Sequence, residues 1–485
     1  MGIVVNQTIK NIIITCLGFG IGAMNTLFLF TNFMDKEYYG LITYLMTASN
    51  LVWPLMAFGM HNTLVKFFSS YKSREQQERF LTMMLVFPVV VSLVLGGVGV
   101  ALYNLILEMF SVRNTIVKPY IWTIFIMAYT LSYFEIFFAW SKVKLKSVLG
   151  NLMKELFLRI CISVLLLLFY FSLLTIHQFV FSLVGAYVIR VLLIGIYALK
   201  LHPIKLRFSL PDNYINVLKY SVLILIAGSV ATILIDLDKA MIERYLPIEN
   251  VAKYSICAYI ASVIIIPSRA MHQITYPLTA KLLNEGAKEQ LKELYKKSSI
   301  NLLIISGLLM VLIVCNVHQL FTIIPDEYEL YIWVVVLIGT AKLFDNMLGN
   351  NNSILYNSNH YRVVLYVGLI MVVLSILFNM ICIPIYGITG AAVATGIAVF
   401  CYNCIKLWIV YSKFGLFPFS HQTIVTLLII IGFVFGCYFW EFSFHPFVNI
   451  ALKSIFIGFL YIVVIYMSSV SNDINALIKK TLKGA

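Results

Sequence analysis

Charge is what this chain has least of. Asp, Glu, Lys and Arg make up 12% of its 485 residues, about half of what a soluble globular domain carries. No gap between its apolar runs is long enough to fold as a soluble domain, so functional chemistry is expected within the bundle or at its short loops. No His-Glu-x-x-His pattern or other metal-ligand cluster occurs. Nor does a glycine-rich phosphate-cradling loop with its lysine, so neither metal-assisted hydrolysis nor ATP hydrolysis is expected. The eight cysteines all lie within or at the ends of apolar runs. Cys401-Tyr-Asn-Cys404 has the spacing of a redox or zinc pair, but it sits inside such a run without a nearby His or second pair. It reads as two small packing residues. A short apolar core followed by a small-residue cleavage site is absent from the N-terminal region, so no cleavable leader is expected.

What is abundant is apolar sequence: 61% of residues are hydrophobic and the mean hydropathy is +0.93. Apolar runs cover 9–32, 39–62, 81–107, 117–140, 152–173, 178–199, 215–236, 252–276, 299–321, 328–354, 363–383, 388–410, 422–440 and 449–468. Each is long enough to cross a ~30 Å hydrocarbon core at ~1.5 Å per residue. Basic residues collect in every second gap: Lys66, Lys72, Arg74 and Arg79; Lys142, Lys144 and Lys146; Lys200, Lys205 and Arg207; then Lys281, Lys288, Lys292, Lys296 and Lys297. Arg362, Lys413 and the tail's Lys479, Lys480 and Lys483 continue the pattern, whereas the other gaps hold only Lys36, Arg113, Lys118, Lys239, Arg244 and Lys253. By the positive-inside rule the span number is even, about fourteen, with both termini cytoplasmic. Topology therefore accounts for most of the net charge of +14, since 20 of the 35 Lys and Arg belong to the cytoplasmic set. No nucleic-acid partner is expected.

Two basic segments have helical patterning. From Lys281 onward, Glu289 precedes Lys292 by three residues and Glu293 precedes Lys297 by four, which predicts a short helix at the membrane surface. In the tail, Ile474, Ile478 and Leu482 recur every four residues opposite Lys479, Lys480 and Lys483, which predicts a second one. An internal repeat appears at an offset of 213 residues: Ala48-Ser49 aligns with Ala261-Ser262, and Pro54 with Pro267. Six spans separate the copies, so the repeats run parallel. The expected organisation is an all-α polytopic protein with a six-helix lobe at 1–208, another at 209–415, and two extra helices plus a tail at 416–485.

Polar stripes mark helix faces that turn away from lipid. Thr43, Thr47, Asn50 and Pro54 share one face, as do Gly18, Gly22 and Asn25; Ser229, Thr232, Asp236 and Lys239; and Ser255, Tyr259, Ser262, Arg269 and Gln273. Lys342, Asp345, Asn346, Gly349 and Asn352 form another. Ser, Thr and Gly in such stripes also serve as helix-packing residues, whereas an ionisable group at a span centre costs about 2.5–3.5 kcal/mol and should meet a partner or a wet cavity. Arg269 has no acidic residue within a turn of sequence, so an anionic substrate is its expected partner. Lys342 has Asp345 at i+3, and an intrahelical pair competes there with a substrate role. Arg159 has Glu155 one turn before it, with Glu135 of the fourth run as another potential partner, and pairing is its expected role. Asp236 and Asp345 are candidates for a coupling cation or proton, and Pro54 and Pro267 for hinges. Asn346, Asn350, Asn351 and Asn352 could read sugar hydroxyls or simply end a helix.

These residues resemble a known family. Ile235-Asp236-Leu237-Asp238-Lys239-Ala240-Met241-Ile242, with Tyr245-Leu246 and Val251-Ala252-Lys253-Tyr254-Ser255, is similar to the start of the second lobe in polysaccharide-transport flippases. These belong to the multidrug/oligosaccharidyl-lipid/polysaccharide exporter superfamily. Tyr39-Gly40, Phe58-Gly59, and Pro384-Ile385-Tyr386-Gly387-Ile388 with Gly390-Ala391-Ala392 extend the likeness over the whole chain. The resemblance implies a flippase of the bacterial inner membrane, without a cofactor, that moves a polyprenyl-pyrophosphate-linked oligosaccharide of the O-antigen, lipopolysaccharide, capsule or exopolysaccharide type. Membrane lipids and, by the same resemblance, a polysaccharide polymerase and assembly enzymes are its expected partners. In that reading Arg269 and Lys342 are the candidates to meet the pyrophosphate, by position rather than by motif, and Arg159, Asn25, Asn50, Asn346 and Gln273 are further candidates for the substrate cavity. A multidrug or cation antiporter of the same superfamily and a lipid II flippase are the alternatives. The antiporter should favour acidic cavity residues, and an enzyme would need larger outer loops than these.

Overall fold

The computed structural model describes residues 2–111, 114–144, 146–358 and 360–483. Arg113 and the side chains of Ser229, Thr232, Gln273, Lys480, Leu482 and Lys483 fall outside the described residues. Regular structure among those described is entirely helical, which suits a chain with hydrocarbon on its surface, because a helix satisfies its backbone donors within its own segment. Each of the fourteen apolar runs falls on helix. Eight described helices are long and apolar enough to cross a membrane, or nine if the bent pair Lys36–Ala57 and Met60–Ser70 is one span. Tyr214–Leu225 and His421–Cys437 are shorter apolar helices. The exterior is apolar, with Phe435, Phe439, Ile455 and Phe459 well exposed, while Arg190, Lys406 and Lys453 are buried. That inverts the soluble pattern.

Packing divides the chain into two compact units, Met1–Ser255 and Ile256–Ala485. The first contains α1 (Gly2–Met24), α2 (Lys36–Ala57), α3 (Met60–Phe67), α4 (Arg74–Ala101), α5 (Ile121–Val143), α6 (Leu158–Tyr170), α7 (Ile176–Leu201) and α8 (Tyr214–Tyr245). At its centre α5 packs on α2, α3 and α7, and α8 packs on α2 and α3. Gly40 permits one tight approach: a Cβ there would lie 2.2 Å from the Ile248 carbonyl oxygen. The linker after α7 is held by charge, with Arg207 bonded to Glu78 at 2.9 Å and Glu75 at 3.3 Å.

The boundary between units falls inside α9 (Glu249–Ser262). Beyond it come α10 (Ile266–Asn284), α11 (Lys288–Phe321), α12 (Ile332–Met347), α13 (Asn351–Tyr356), α14 (Tyr361–Phe414), α15 (His421–Cys437), α16 (Pro446–Ser468) and α17 (Asn472–Lys483). In this second unit α11 packs on α10, α12, α15 and α16, and α12 packs on α14. At 54 residues α14 holds two of the apolar runs, and its helix is interrupted at Gly387 (φ 60°, ψ −137°).

Two expectations need correcting. The basic stretch from Lys281 is not a separate surface helix. It ends α10, turns at Gly286 (φ 67°), and then starts the 34-residue α11, because unbroken helical propensity links it to the apolar run. The expected pairs do form, Glu289–Lys292 at 3.8 Å and Glu293–Lys297 at 2.7 Å. The run 328–354 is likewise not one helix. Gly349 (φ 56°) breaks it, and a Cβ there would lie 2.6 Å from the Ser299 amide nitrogen. The tail helix α17 forms as expected and is tied to α11, with Asn301 donating to Asp473 at 3.0 Å and Ser471 to Asn301 at 2.6 Å.

Beyond the end of the apolar run 215–236, Asn114 clasps the turn after α8. Its amide donates to the Glu243 carbonyl at 2.8 Å and the Glu243 carboxylate at 3.3 Å, and its oxygen accepts from the Ile248 amide at 2.9 Å. Burial, only partly offset by the Asn114 bond and Arg244, pushes the Glu243 carboxyl up from 4.5 to about 7. Between those values the unfolded chain is ionised while the folded one keeps its proton, so this residue's contribution to stability falls as pH rises and levels off above about 7. Glu243→Gln should therefore raise stability by about 3 kcal/mol at pH 8 and by only about 1 kcal/mol at pH 5. Thermal unfolding in detergent at both pH values measures the difference.

Candidate functional site

A polar cluster lies within each unit. In the first, the second span is bent by 47° between Lys36–Ala57 and Met60–Ser70. Phe58 and Gly59 both take left-handed backbone (φ 47° and 70°) and end α2 four residues after Pro54. A Cβ on Gly59 would lie 2.4 Å from the Ser221 carbonyl oxygen of α8, so the bend and the close approach both call for glycine. The turn puts His61 and Asn62 at the start of α3, facing Trp53, whose ring centroid is 5.3 Å from that of His61. Across from them α5 supplies Glu135 and Lys142, two turns apart, and the π-helical turn Met153–Phe157 supplies Lys154.

Together these residues line a cavity of about 300 Å³, floored by Pro54, Ile224 and Leu225. Lys154 Nζ donates to Glu135 Oε1 at 2.5 Å, and the Lys142 ammonium stands 3.8 Å from the Phe138 ring centroid. One carboxylate thus faces two lysines. Arg190 adds a third cation within electrostatic reach of Glu135. It is 3% exposed and stacked at 4.1 Å on Phe134, and its Nε and Nη2 have no hydrogen-bond partner among the described residues. A cation excess at the lining of a cavity favours an anionic guest, whose oxygens would accept charge-assisted hydrogen bonds.

In the second unit the cluster is built around Asp345 of α12. Its partner is Lys406 of α14, with Nζ 3.2 Å from Asp345 Oδ1 and 3.0 Å from Asn352 Oδ1. The same ammonium lies 4.5 Å from the Tyr402 ring centroid. Lys342 and His272 are within electrostatic reach of Asp345. Arg269, His272 and Tyr276 follow one face of α10, with Arg269 exposed and His272 half-buried.

The remaining sequence candidates have other surroundings. Asn25 donates to the Arg159 carbonyl at 2.8 Å and accepts from Ser163 at 2.6 Å, fastening the first span to the fifth. Arg159 faces Glu155 at 3.6 Å, while Glu135 takes Lys154 instead. Asn50 is half-buried on α2. Asn346 donates to the Ile264 carbonyl and to Ser306, both at 2.7 Å. Asn350 bonds Thr279, and Asn351 donates to Tyr295 at 2.7 Å, so most of the asparagine cluster fastens a helix end. Asp236 pairs with Lys239 at 3.1 Å. Pro267 is in the first turn of α10, after the 3-10 turn Val263–Ile265, where its missing donor costs little.

Sequence reasoning missed His61, Trp53, Lys154, Arg190, His272 and Lys406 and counted Lys142 only as a loop charge. Arg190 and Lys406 carried a usable signal, since each is a lone cation in an apolar run. The others gain significance only from the bend and from neighbouring helices.

Comparison with known proteins agrees with this architecture. The family model described as polysaccharide biosynthesis protein matches residues 8–283, and a second model, MatE, matches residues 224–381. A probable low-salt glycan biosynthesis flippase of Haloferax volcanii (strain ATCC 29605) is 23% identical over 268 residues. That match covers 54% of each protein, so the chain spans about half the length of this relative. Among solved structures, the lipid II flippase MurJ in an inward closed conformation has a TM-score of 0.72 at 15% identity, covering 96% of this chain and 100% of that one. An inward-facing multidrug resistance MATE family transporter of the MOP superfamily has a TM-score of 0.63 at 13% identity, covering 84% and 94%. At these identities the likeness to both structures is one of fold.

Proposed function

The chain belongs to the polysaccharide biosynthesis protein family, and from that premise we propose that it is a flippase for a polyprenyl-pyrophosphate-linked oligosaccharide. The observation that carries this reading is the cavity in the first unit, where two lysines, Lys142 and Lys154, face the single carboxylate Glu135, with the buried Arg190 within electrostatic reach of it. A pyrophosphate with hydrated sugars crosses hydrocarbon only at great cost, whereas the polyprenyl tail is already soluble there. A moving protein lowers the barrier by supplying cations to the head and polar side chains to the sugars while the tail stays in lipid. Lys142 and Lys154 are assigned to the pyrophosphate, and His61, Asn62 and Trp53 to the first sugar. In the second unit Arg269 and Lys342 remain the anion candidates.

The same proposal covers the finer topology. Fourteen spans are arranged as lobes 1–208 and 209–415 with 416–485 appended, both termini are cytoplasmic, and the membrane is the bacterial inner membrane. The cavity residues His61, Lys142 and Lys154 adjoin the basic gaps, so the head would be collected on the cytoplasmic side. The bend at Phe58–Gly59 and the 3-10 break before Pro267 are the hinges for alternating access. The repeat unit delivered outside, of O-antigen, capsule or exopolysaccharide type, would be consumed there by a polymerase. Transport is the task assigned to these residues, and bond-making is left to partner enzymes.

Translocation of a fluorescent pyrophosphate-linked oligosaccharide lipid in proteoliposomes tests this reading. Lys142→Ala and Lys154→Ala should each slow translocation at least ~10-fold, the loss of one charge-assisted contact of about 1.5 kcal/mol or more. Arg269→Ala and Lys342→Ala should slow it as well. Wild-type protein that takes up a cationic dye but moves no such lipid would replace the proposal with drug export. Translocation unaffected by Lys142→Ala and Lys154→Ala would remove the cavity assignment.

A further inference from the structure

The cluster in the second unit contains more aromatic chemistry than an anion site needs. Tyr356 of α13 and Tyr402 of α14 are hydrogen-bonded through their hydroxyls, and both lie within electrostatic reach of Asp345. Tyr276 of α10 lies within reach of Tyr356. His272, one turn earlier on α10, is within reach of Asp345 and Lys406, and its Nδ1 has no hydrogen-bond partner among the described residues. Two phenols and an imidazole from three helices therefore lie near a single ion pair, with the third phenol, Tyr276, next to Tyr356. Tyr276 and Tyr356 nevertheless stay 46% and 44% exposed.

The ion pair itself is occupied. Lys406 is 2% exposed and commits its ammonium to Asp345, Asn352 and the Tyr402 ring face. Asp345 is held by Lys406, with Lys342 and His272 also near it, so it presents no unneutralised carboxylate to a drug cation or a coupling cation. What remains for a guest is a set of ring faces beside hydroxyl, imidazole and amide groups. That is the complement of a pyranose, whose C–H faces lie on aromatic rings while its hydroxyls both donate and accept.

We propose that Tyr276, Tyr356, Tyr402 and His272 form a saccharide subsite in the second unit, which takes a pyranose ring of the lipid-linked glycan. The proposal rests on the flippase reading and deepens it by giving the sugar its own recognition element, apart from the cations that meet the pyrophosphate. Tyr276 is the ring platform, and the hydroxyls of Tyr356 and Tyr402 with His272 Nδ1 read the sugar's hydroxyls. The Asp345–Lys406 pair positions Tyr402 from behind.

Two fluorescent probes separate the subsite from the head-group site: undecaprenyl pyrophosphate without sugar, and the same lipid carrying an N-acetylglucosamine-containing disaccharide. Both are assayed in proteoliposomes with wild type, Tyr276→Ala and Tyr402→Phe. The second variant keeps the ring beneath Lys406 and removes only the hydroxyl. With Tyr276→Ala, half-saturation for the sugar-bearing lipid should rise ~10-fold, the loss of about one stacking contact, while the sugar-free lipid is handled as by wild type. Tyr402→Phe should shift the sugar-bearing lipid alone by a smaller factor. Equal shifts for both lipids, or no shift for either, would overturn the subsite while leaving the flippase reading intact. Wild-type protein that moves neither lipid would overturn the flippase reading, and the subsite with it.

Discussion

Lys406→Met should be among the more destabilising single substitutions in the second unit, lowering stability by about 2–3 kcal/mol, below the range for a fully buried pair because the Asp345 side chain stays 32% exposed. The lysine is 2% exposed, and its ammonium holds Asp345 of α12 at 3.2 Å and Asn352 of α13 at 3.0 Å. It therefore ties two helices to α14. Methionine fills nearly the same space, so packing is largely kept and the cost is electrostatic: a carboxylate and an amide oxygen lose their donor. Lys342 and His272 near Asp345 keep the loss below that of a fully isolated charge. The double variant Lys406→Met with Asp345→Asn should recover most of the loss, because no buried charge is then left unpaired. Thermal unfolding of the two variants in detergent decides the matter. A single variant as stable as wild type would show that the pair does not hold α12 to α14.

The second large effect is expected at the break in α14. Gly387 has φ 60° and ψ −137°, a region essentially closed to residues with a side chain and costing about 1–3 kcal/mol when one is forced there. A Cβ on Gly390 would lie 2.0 Å from the Cys382 carbonyl oxygen and 2.5 Å from its carbon. Backbone atoms of the two halves approach too closely for any side chain, and a rigid helix cannot yield locally. Gly390→Ala should therefore cost about 3 kcal/mol or more, and Gly387→Ala somewhat less. Gly396, in the same helix with nothing within 4 Å of a built Cβ, is the control. Gly396→Ala should be neutral or stabilising by about 0.5–1 kcal/mol. Equal unfolding temperatures for the Gly390 and Gly396 variants would contradict the close contact.

This region also shows how far the sequence could be read. Pro384-Ile385-Tyr386-Gly387 marked the end of one apolar run and the start of the next, and the helix does break there. The tail helix and the Glu293–Lys297 pair were legible for the same reason: each depends on residues close in the chain. Asp345 went the other way. Its sequence neighbour Lys342 at i+3 was one partner to weigh, and Lys342 does lie within electrostatic reach, but the hydrogen-bonded contact with Lys406, 61 residues away, had no local signal. Asn346 and Asn350, candidates for sugar binding, donate their amide hydrogens to Ile264, Ser306 and Thr279, partners that no local pattern shows. The cavity near Trp53 and His61 had no signature at all, since it exists only because Phe58 and Gly59 turn the second span toward α8 and α5.

By itself the sequence determined that the chain is a polytopic helical membrane protein, where its apolar runs lie, and which residues are too costly to leave in lipid. Those properties follow from hydropathy, which sums over neighbours along the chain, and from local backbone preference. Only the tertiary structure decided which cation meets which carboxylate, which asparagines are consumed by packing, and where a cavity opens. The reason is geometric: each residue turns a helix by ~100°. A side chain's partner is therefore set by the rotation and depth of the helix facing it, and no local pattern carries that information.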